Sequence, residues 1–193
     1  MARLSVITFA FPAFVALAAV LSAPVSFDNG VHTLTKYSTG TTFVAESFKA
    51  QSYNDFQISD GVAGDAQSEA NAVFVDPFDG VDLSTVDSNT VQTMNTMREA
   101  AESAETDEFD PQIEAASGSE ATELQNGKIK NKVLKLTGEV QVLNIKIAQA
   151  QAKGEDTSDL ESDLADEQAK LETNIATDVK NAGQVSKGVT VSS

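Results

Sequence analysis

The strongest pattern in the chain is a row of apolar residues late in the sequence. Ile129, Val133, Leu136, Val140, Leu143, Ile147 and Ala150 are spaced alternately four and three apart. A mean period of about 3.5 residues is that of a coiled-coil seam, so the segment reads as one long helix. Ser117-Gly-Ser-Glu120 ahead of it has the form of a capping box, and Gly154 ends it. Ser158-Asp-Leu-Glu161 has the same form and opens a last helix, which Gly183 stops. Its stripe is Leu160, Leu164, Gln168, Leu171, Ile175, Val179 and Ala182. Two long helices joined by a few residues must lie antiparallel. Leu134, Val142 and Ile145 widen the seam of the first, so the hairpin needs a further cover.

Two earlier helices are its natural cover. Val62, Ala66, Ala70 and Val73 mark a helix capped by Ser59 or Asp60. Its small residues, with Gly61 and Gly64 in the first turn, allow a close approach. Asp76-Pro77 ends it, because proline cannot continue a helix and restricts the residue before it. After a loop over 78–83, a second helix starts near Asp87 or Ser88 and runs to about Glu105, with Val91, Met94, Met97, Ala101 and Ala104 inward. Phe109-Asp110-Pro111 is expected to break it, and a short helical piece follows over 111–116. The expected fold is therefore all-α: a four-helix, bundle-like domain over 55–183, built on a long antiparallel C-terminal hairpin, with a polar tail over 184–193.

The N-terminal part has no such period. Residues 1–22 read as a secretory signal peptide: Arg3 supplies the positive start, and 6–21 is almost unbroken apolar. That run is shorter than the roughly 20 residues a spanning helix needs. Val20 and Ser22 suit cleavage before Ala23. Residues 23–54 are a Ser/Thr-rich arm, read as strand or coil. The expected destination is outside the cell.

Composition narrows the chemistry. The 193 residues contain 13 Lys+Arg against 29 Asp+Glu, a net charge of −16, with no Cys and one His. Absence of cysteine excludes a disulfide framework, a thiol nucleophile and a zinc ribbon. The negative charge argues against nucleic acid as a partner. Charge is also unevenly placed. Residues 55–123 hold seventeen acids and one base, Arg98, whereas 128–146 hold five lysines and one acid, Glu139. The simplest reading is internal, with the basic helix neutralising the acidic ones.

No catalytic set emerges. His32 is the only histidine and lies in the Ser/Thr-rich arm, and no Gly-x-Ser-x-Gly elbow presents a serine to it. A di-iron bundle requires Glu-x-x-His pairs, and the helices contain no histidine. Asp76, Asp79 and Asp82 surround Gly80 but miss the spacing of a calcium-binding EF-hand loop. The acidic run Glu99, Glu102, Glu105, Asp107, Glu108 and Asp110 lacks an aromatic sugar platform and reads as a solvated helix face. The segment 60–64 has glycines but neither the lysine nor the preceding strand of a phosphate loop. The sequence thus nominates no catalytic, cofactor-binding or metal-ligating residue, no cofactor and no membrane span.

Several strings resemble a known group. The stretch from Tyr53 to Ala66 (YNDFQISDGVAGDA) is similar to the opening of a family of small secreted proteins of filamentous ascomycete fungi. Arg98 to Glu105 (REAAESAE) with Phe109-Asp-Pro111, Asn126 to Leu136 (NGKIKNKVLKL), Asp166 to Leu171 and Ala182 to Gln184 resemble its later segments. The resemblance implies secretion, a helical domain and no known enzymatic activity. The expected function is that of a non-enzymatic extracellular protein acting at the cell wall or at a host or substrate surface. The alternative is a carrier or adsorbing module that takes a lipid or hydrophobic surface through the bundle. A cell-wall or host-surface partner and a hydrophobic ligand are the partner classes these readings name. A seam left uncovered would also serve self-association, so monomer and oligomer both stand at this point.

Overall fold

A computed structural model of the chain describes residues 48–192. The expected signal peptide, most of the Ser/Thr-rich arm and His32 lie outside these residues. The described elements are α1 (Tyr53–Phe56), β1 (Gly61–Val62), α2 (Ala66–Phe74), α3 (Ser88–Ser103), α4 (Asp110–Ala115), α5 (Gly118–Lys153), α6 (Ser158–Lys180) and β2 (Val185–Ser186). The domain is all-α and bundle-like, with a two-stranded antiparallel ribbon in which Val62 pairs with Val185.

Helix α5 is the axis of the structure, and its sequence explains why. Gly127, Asn131, Leu134, Gly138, Val142 and Ile145 form a second stripe on the side opposite the 3.5-residue seam, and all six are buried. A helix closed off on two opposite faces must be wrapped on both sides. The second stripe meets α2 and α3: Phe74, Met94, Met97, Ala101, Leu134, Val142 and Ile145 belong to one core. Gly138 lets the Phe74 ring pack closely there, since a Cβ would stand 3.2 Å from it and the ring would have to give by a few tenths of an ångström. The seam faces α6, which runs back antiparallel after Gly154. That glycine is left-handed (φ +72°), with Glu155 N–H on the Ala150 carbonyl and Gly154 N–H on the Gln151 carbonyl, a Schellman close.

The cover of the hairpin is one-sided. Helices α2 and α3 pack on α5, while α6 packs along α5 and meets α2 only at its start. Leu160, Leu164, Leu171 and Ile175 are consequently half-buried, and Gln168, Val179 and Ala182 are exposed. The two earlier helices therefore cover α5 and leave α6 as an outer layer.

Four local expectations need correction. The first helix starts at Ala66, not Ser59, because Gly61 (φ +97°) and Gly64 (φ +123°) adopt conformations closed to a right-handed helix. Residues 61–62 form β1 instead. Phe109-Asp110-Pro111 does not break the chain's helical path. Residues 104–109 form a π-helical turn that leads directly into α4, with Phe109 and Asp110 both right-handed. The wide turn shifts the backbone ladder, and Phe109, fully buried beside Gly127, holds it in place. Neither capping box forms. Glu120 pairs with Lys187 rather than with its own helix start. At α6 the cap residue is Thr157, and Asp156 accepts from the Ser158 backbone N–H.

The segment expected as a polar tail is docked. Its Val189 is buried and Val191 packs on the core. The Lys187 N–H donates to the Glu123 carbonyl, and Gly188 N–H donates to Asp60. Gly127 makes that approach feasible: a Cβ there would lie 2.0 Å from the Lys187 carbonyl oxygen. The last residues of the expected arm also enter the fold. Tyr53 is buried, and the Phe48 ring lies 5.5 Å from that of Phe78.

Candidate functional site

Polar side chains buried by α5 form the first candidate. Lys130 is completely buried, yet its ammonium is held by two carbonyls and a carboxylate. It donates to the Asp60 carbonyl at 3.2 Å and the Val62 carbonyl at 3.1 Å, and pairs with Glu69 at 2.7 Å. The lysine thus takes the Val62 carbonyl of β1 and the Asp60 carbonyl just before it, and ties α5 to α2. One position on, Asn131 accepts from the Tyr53 hydroxyl (2.9 Å) and donates to the Ala101 carbonyl (2.8 Å), just before the π turn. Burial pushes the Tyr53 phenol up to about 12. Asn126 donates to the Val185 carbonyl and accepts from Asn181. Lys130, Asn131 and Asn126 therefore connect both ends of the domain to one helix.

The second candidate is the charge cluster on the flank of α5. Glu105 stands among three lysines: Lys135 at 2.9 Å, Lys132 at 3.5 Å and Lys128 at 3.7 Å. Burial pushes its carboxyl up, but the three lysines together outweigh burial and hold it below the usual range. Lys128 also pairs with Asp110, and Arg98 bridges α3 to α5 through Glu139 at 2.8 Å. The internal neutralisation expected from the charge pattern is thus present as named pairs. The acidic run is not uniformly solvated: Glu105 is largely enclosed, whereas Glu99 and Glu102 are exposed around Arg98. The lysine spacing of four and three at 128, 132 and 135 was the signal that could have singled it out.

The loop acids take local roles. Asp82 accepts from the Ser84 N–H and hydroxyl, which hold its carboxyl below the usual range. Asp87 caps α3 through the Asn89 and Thr90 N–H groups, and the Thr90 contacts lower its carboxyl in the same way. Among the described residues, no group of three or more His, Cys, Asp or Glu is placed to hold a metal ion. No helix among them is long and apolar enough to cross a membrane.

Two clefts remain. One, of about 420 Å³, is lined by the Phe48 and Phe56 rings, Ile58, Val73 and Pro77, with Lys49 and Asp55 among its polar groups. The other, of about 230 Å³, lies between the start of α2 and the end of α6, with Gly64, Ser68, Ile175, Asp178 and Val179 on its walls. Asp178 is almost fully buried. Its Oδ2 accepts from the Ala66 N–H at 3.0 Å, capping α2 from another helix, and its Oδ1 has no hydrogen-bond partner. Sequence reasoning missed Asp178, since it sits beside the apolar stripe of α6 and its partner is over a hundred residues away.

The model of a protein family described as a domain of unknown function (DUF8454) matches residues 48–190, and the chain belongs to that family. The match spans the folded domain together with its docked C-terminal segment. No curated protein and no solved structure matches the chain.

Proposed function

We propose that this member of the family is a non-enzymatic, secreted extracellular protein that acts by surface contact, at a cell wall or at a host or substrate surface. The apolar leader over 1–22 and the resemblance to small secreted fungal proteins support the destination. One observation supports the mode of action. Ser59 Oγ and Asp178 Oδ1 lack a partner, but the set around α5 is partnered within the domain: Lys130 with two carbonyls and the Glu69 carboxylate, Asn131 at both ends of its amide, and Glu105 among its lysines. These groups hold the helices in order rather than await a substrate. What is left for recognition is the outer surface, above all the half-covered helix α6.

Expression of the whole chain in a secreting fungal host tests this reading. The expected result is protein in the medium with an intact mass beginning at Ala23, inactive on glycoside, ester and peptide substrates, and retained by isolated wall material. Retention inside the cell, or turnover of any substrate class, overturns it.

A second reading, a carrier for a hydrophobic ligand, is supported by the Phe48–Phe56 cleft, whose volume falls in the range of small-molecule sites. Native mass spectrometry of the secreted protein tests it. An adduct of lipid mass supports the carrier; bare protein that takes up no added fatty acid or sterol removes it.

A further inference from the structure

We infer that the cleft between the start of α2 and the end of α6 is a docking point for a basic side chain, arginine or lysine, carried by a protein partner. The inference names the partner chemistry of the contact function proposed above and rests on it. Three observations converge on this end of the molecule. The first is Asp178, which lines the cleft with one carboxylate oxygen bound to the Ala66 N–H and the other left without a donor. A buried carboxylate oxygen lacking a donor is costly, and a cation that donates to it removes that cost. Two carboxylates offset the positive end of α2 here: Asp178 Oδ2 takes the Ala66 N–H, and Asp65 adds a second carboxylate to the lining.

The second observation is the apolar wall. Ile175 and Val179 line the same cleft and would take the methylene stem of a long basic side chain. The third is the surrounding surface. The exposed large apolar residues of the described chain are Val62 (50% exposed), Val179 (57%) and Val185 (56%). Val62 and Val185 are cross-strand partners in the ribbon. Gly64, two residues beyond Val62, lines the cleft, and a Cβ on it would touch Ala182, just past α6. An apolar wall of Ile175 and Val179 beside one unpaired acceptor is the anatomy of an anchor site. The occupant's charge follows from the protein's own. A chain at −16 repels a second copy and attracts a basic partner.

The test uses the ¹⁵N-labelled full chain and two probes, N-acetyl-arginine amide and its neutral counterpart N-acetyl-citrulline amide. Saturable shifts are expected at the Ala66 and Val179 amides, with the arginine probe binding about tenfold more tightly, the ratio one charge-assisted hydrogen bond provides. Asp178→Asn keeps an acceptor for Ala66 and places an amide N–H₂ where the free oxygen was, so it should abolish the preference. Val179→Ser should weaken both probes alike. Equal binding of the two probes, absence of saturable shifts, or a preference that survives Asp178→Asn would overturn the inference. Should Asp178→Asn fail to fold, the comparison of probes on the unmodified chain decides alone. Binding is read on purified protein, so failure here is separate from failure of export or wall retention.

Discussion

Lys130→Met is the sharpest probe of the reasoning, because it removes a charge from a fully buried site with little change in volume. In the unmodified chain the ammonium satisfies the Asp60 and Val62 carbonyls and faces Glu69. Methionine fills the stem's space and lacks all three donors. Glu69 is 41% exposed at its side chain and can turn to water, so its share of the loss is small. The two carbonyls are the main term, at about 1–3 kcal/mol each when left unpaired. Burying a thioether instead of an ammonium returns part of this, since desolvating the charge was itself unfavourable. The expected net loss is about 2–4 kcal/mol, which at a urea slope of about 2 kcal/mol per molar moves the unfolding midpoint down by about 1–2 M.

Equilibrium urea unfolding followed by far-ultraviolet circular dichroism measures it. Hydrogen exchange adds a local readout, with faster exchange expected at the β1 amides than at the centre of α3. A midpoint within about 0.2 M of the original, or a more stable protein, would show that the lysine is a tolerated burden and not the clasp of the ribbon; that threshold corresponds to about 0.4 kcal/mol. Glu69→Gln is the companion. It keeps the carbonyl contacts of Lys130 intact and should cost about 1 kcal/mol or less.

Four further outcomes are expected. Gly127→Ala drives a methyl group against the Lys187 carbonyl, so the 185–191 segment should lose exchange protection and stability should fall by about 1–3 kcal/mol, read by urea midpoint. Asp178→Ala removes the cap of α2 and should cost about 1 kcal/mol, with exchange rising first at Ala66. The Glu105 carboxyl is lowered in the fold from its ordinary 4.5, so its contribution is complete above that pH and is lost as pH falls through the lower folded value. Glu105→Gln should flatten the fall of the urea midpoint in that acid window, and an unchanged profile would refute the lysine cradle as its cause. Tyr53 is raised from 10.0 to about 12, so its contribution is present below pH 10.0 and is lost as pH rises toward 12. Tyr53→Phe should remove that alkaline loss, as followed by circular dichroism.

Sequence periodicity carried the helices and their order, because a long helix writes its buried stripe locally. The 3.5-residue row over 129–150 and the Met94, Met97, Ala101 and Ala104 stripe both describe inward faces of the structure, although Ile129, Val140 and Ile147 are only half-buried. Boundaries failed where tertiary contacts replaced local chemistry. Ser117-Gly-Ser-Glu120 has every residue of a capping box, yet Lys187, distant in sequence, takes Glu120. Phe109-Asp110-Pro111 reads as a stop, yet burial of Phe109 holds the helical path through a π turn. The candidate cleft was illegible for the same reason. Asp178 belongs to no motif, and its meaning appears only once α2 and α6 are side by side.

The buried polar groups also explain why the domain has one arrangement rather than several. Ala-rich α2 and the evenly spaced seam of α5 could slide by a turn with little loss of apolar contact, because small residues and a regular repeat discriminate poorly between registers. Lys130, Asn131 and Asn126 do not permit it. A slip of one turn along α5, about 5.4 Å, would strand a fully buried ammonium and two buried amides at once. Their partners lie on β1, α1, α3 and the C-terminal segment, so one helix enforces the placement of four separate pieces. A chain without cysteine needs such a device if its ends are to stay closed, because no disulfide can do this work. Helix α6 takes no part in the Lys130 and Asn131 contacts. Its attachment is the half-buried seam together with Asp178 and Asn181, so it is the element free to present a surface. Replacing Lys130 should therefore loosen the ribbon and the chain ends, whereas replacing exposed residues of α6 should leave stability nearly unchanged and alter only what the protein binds.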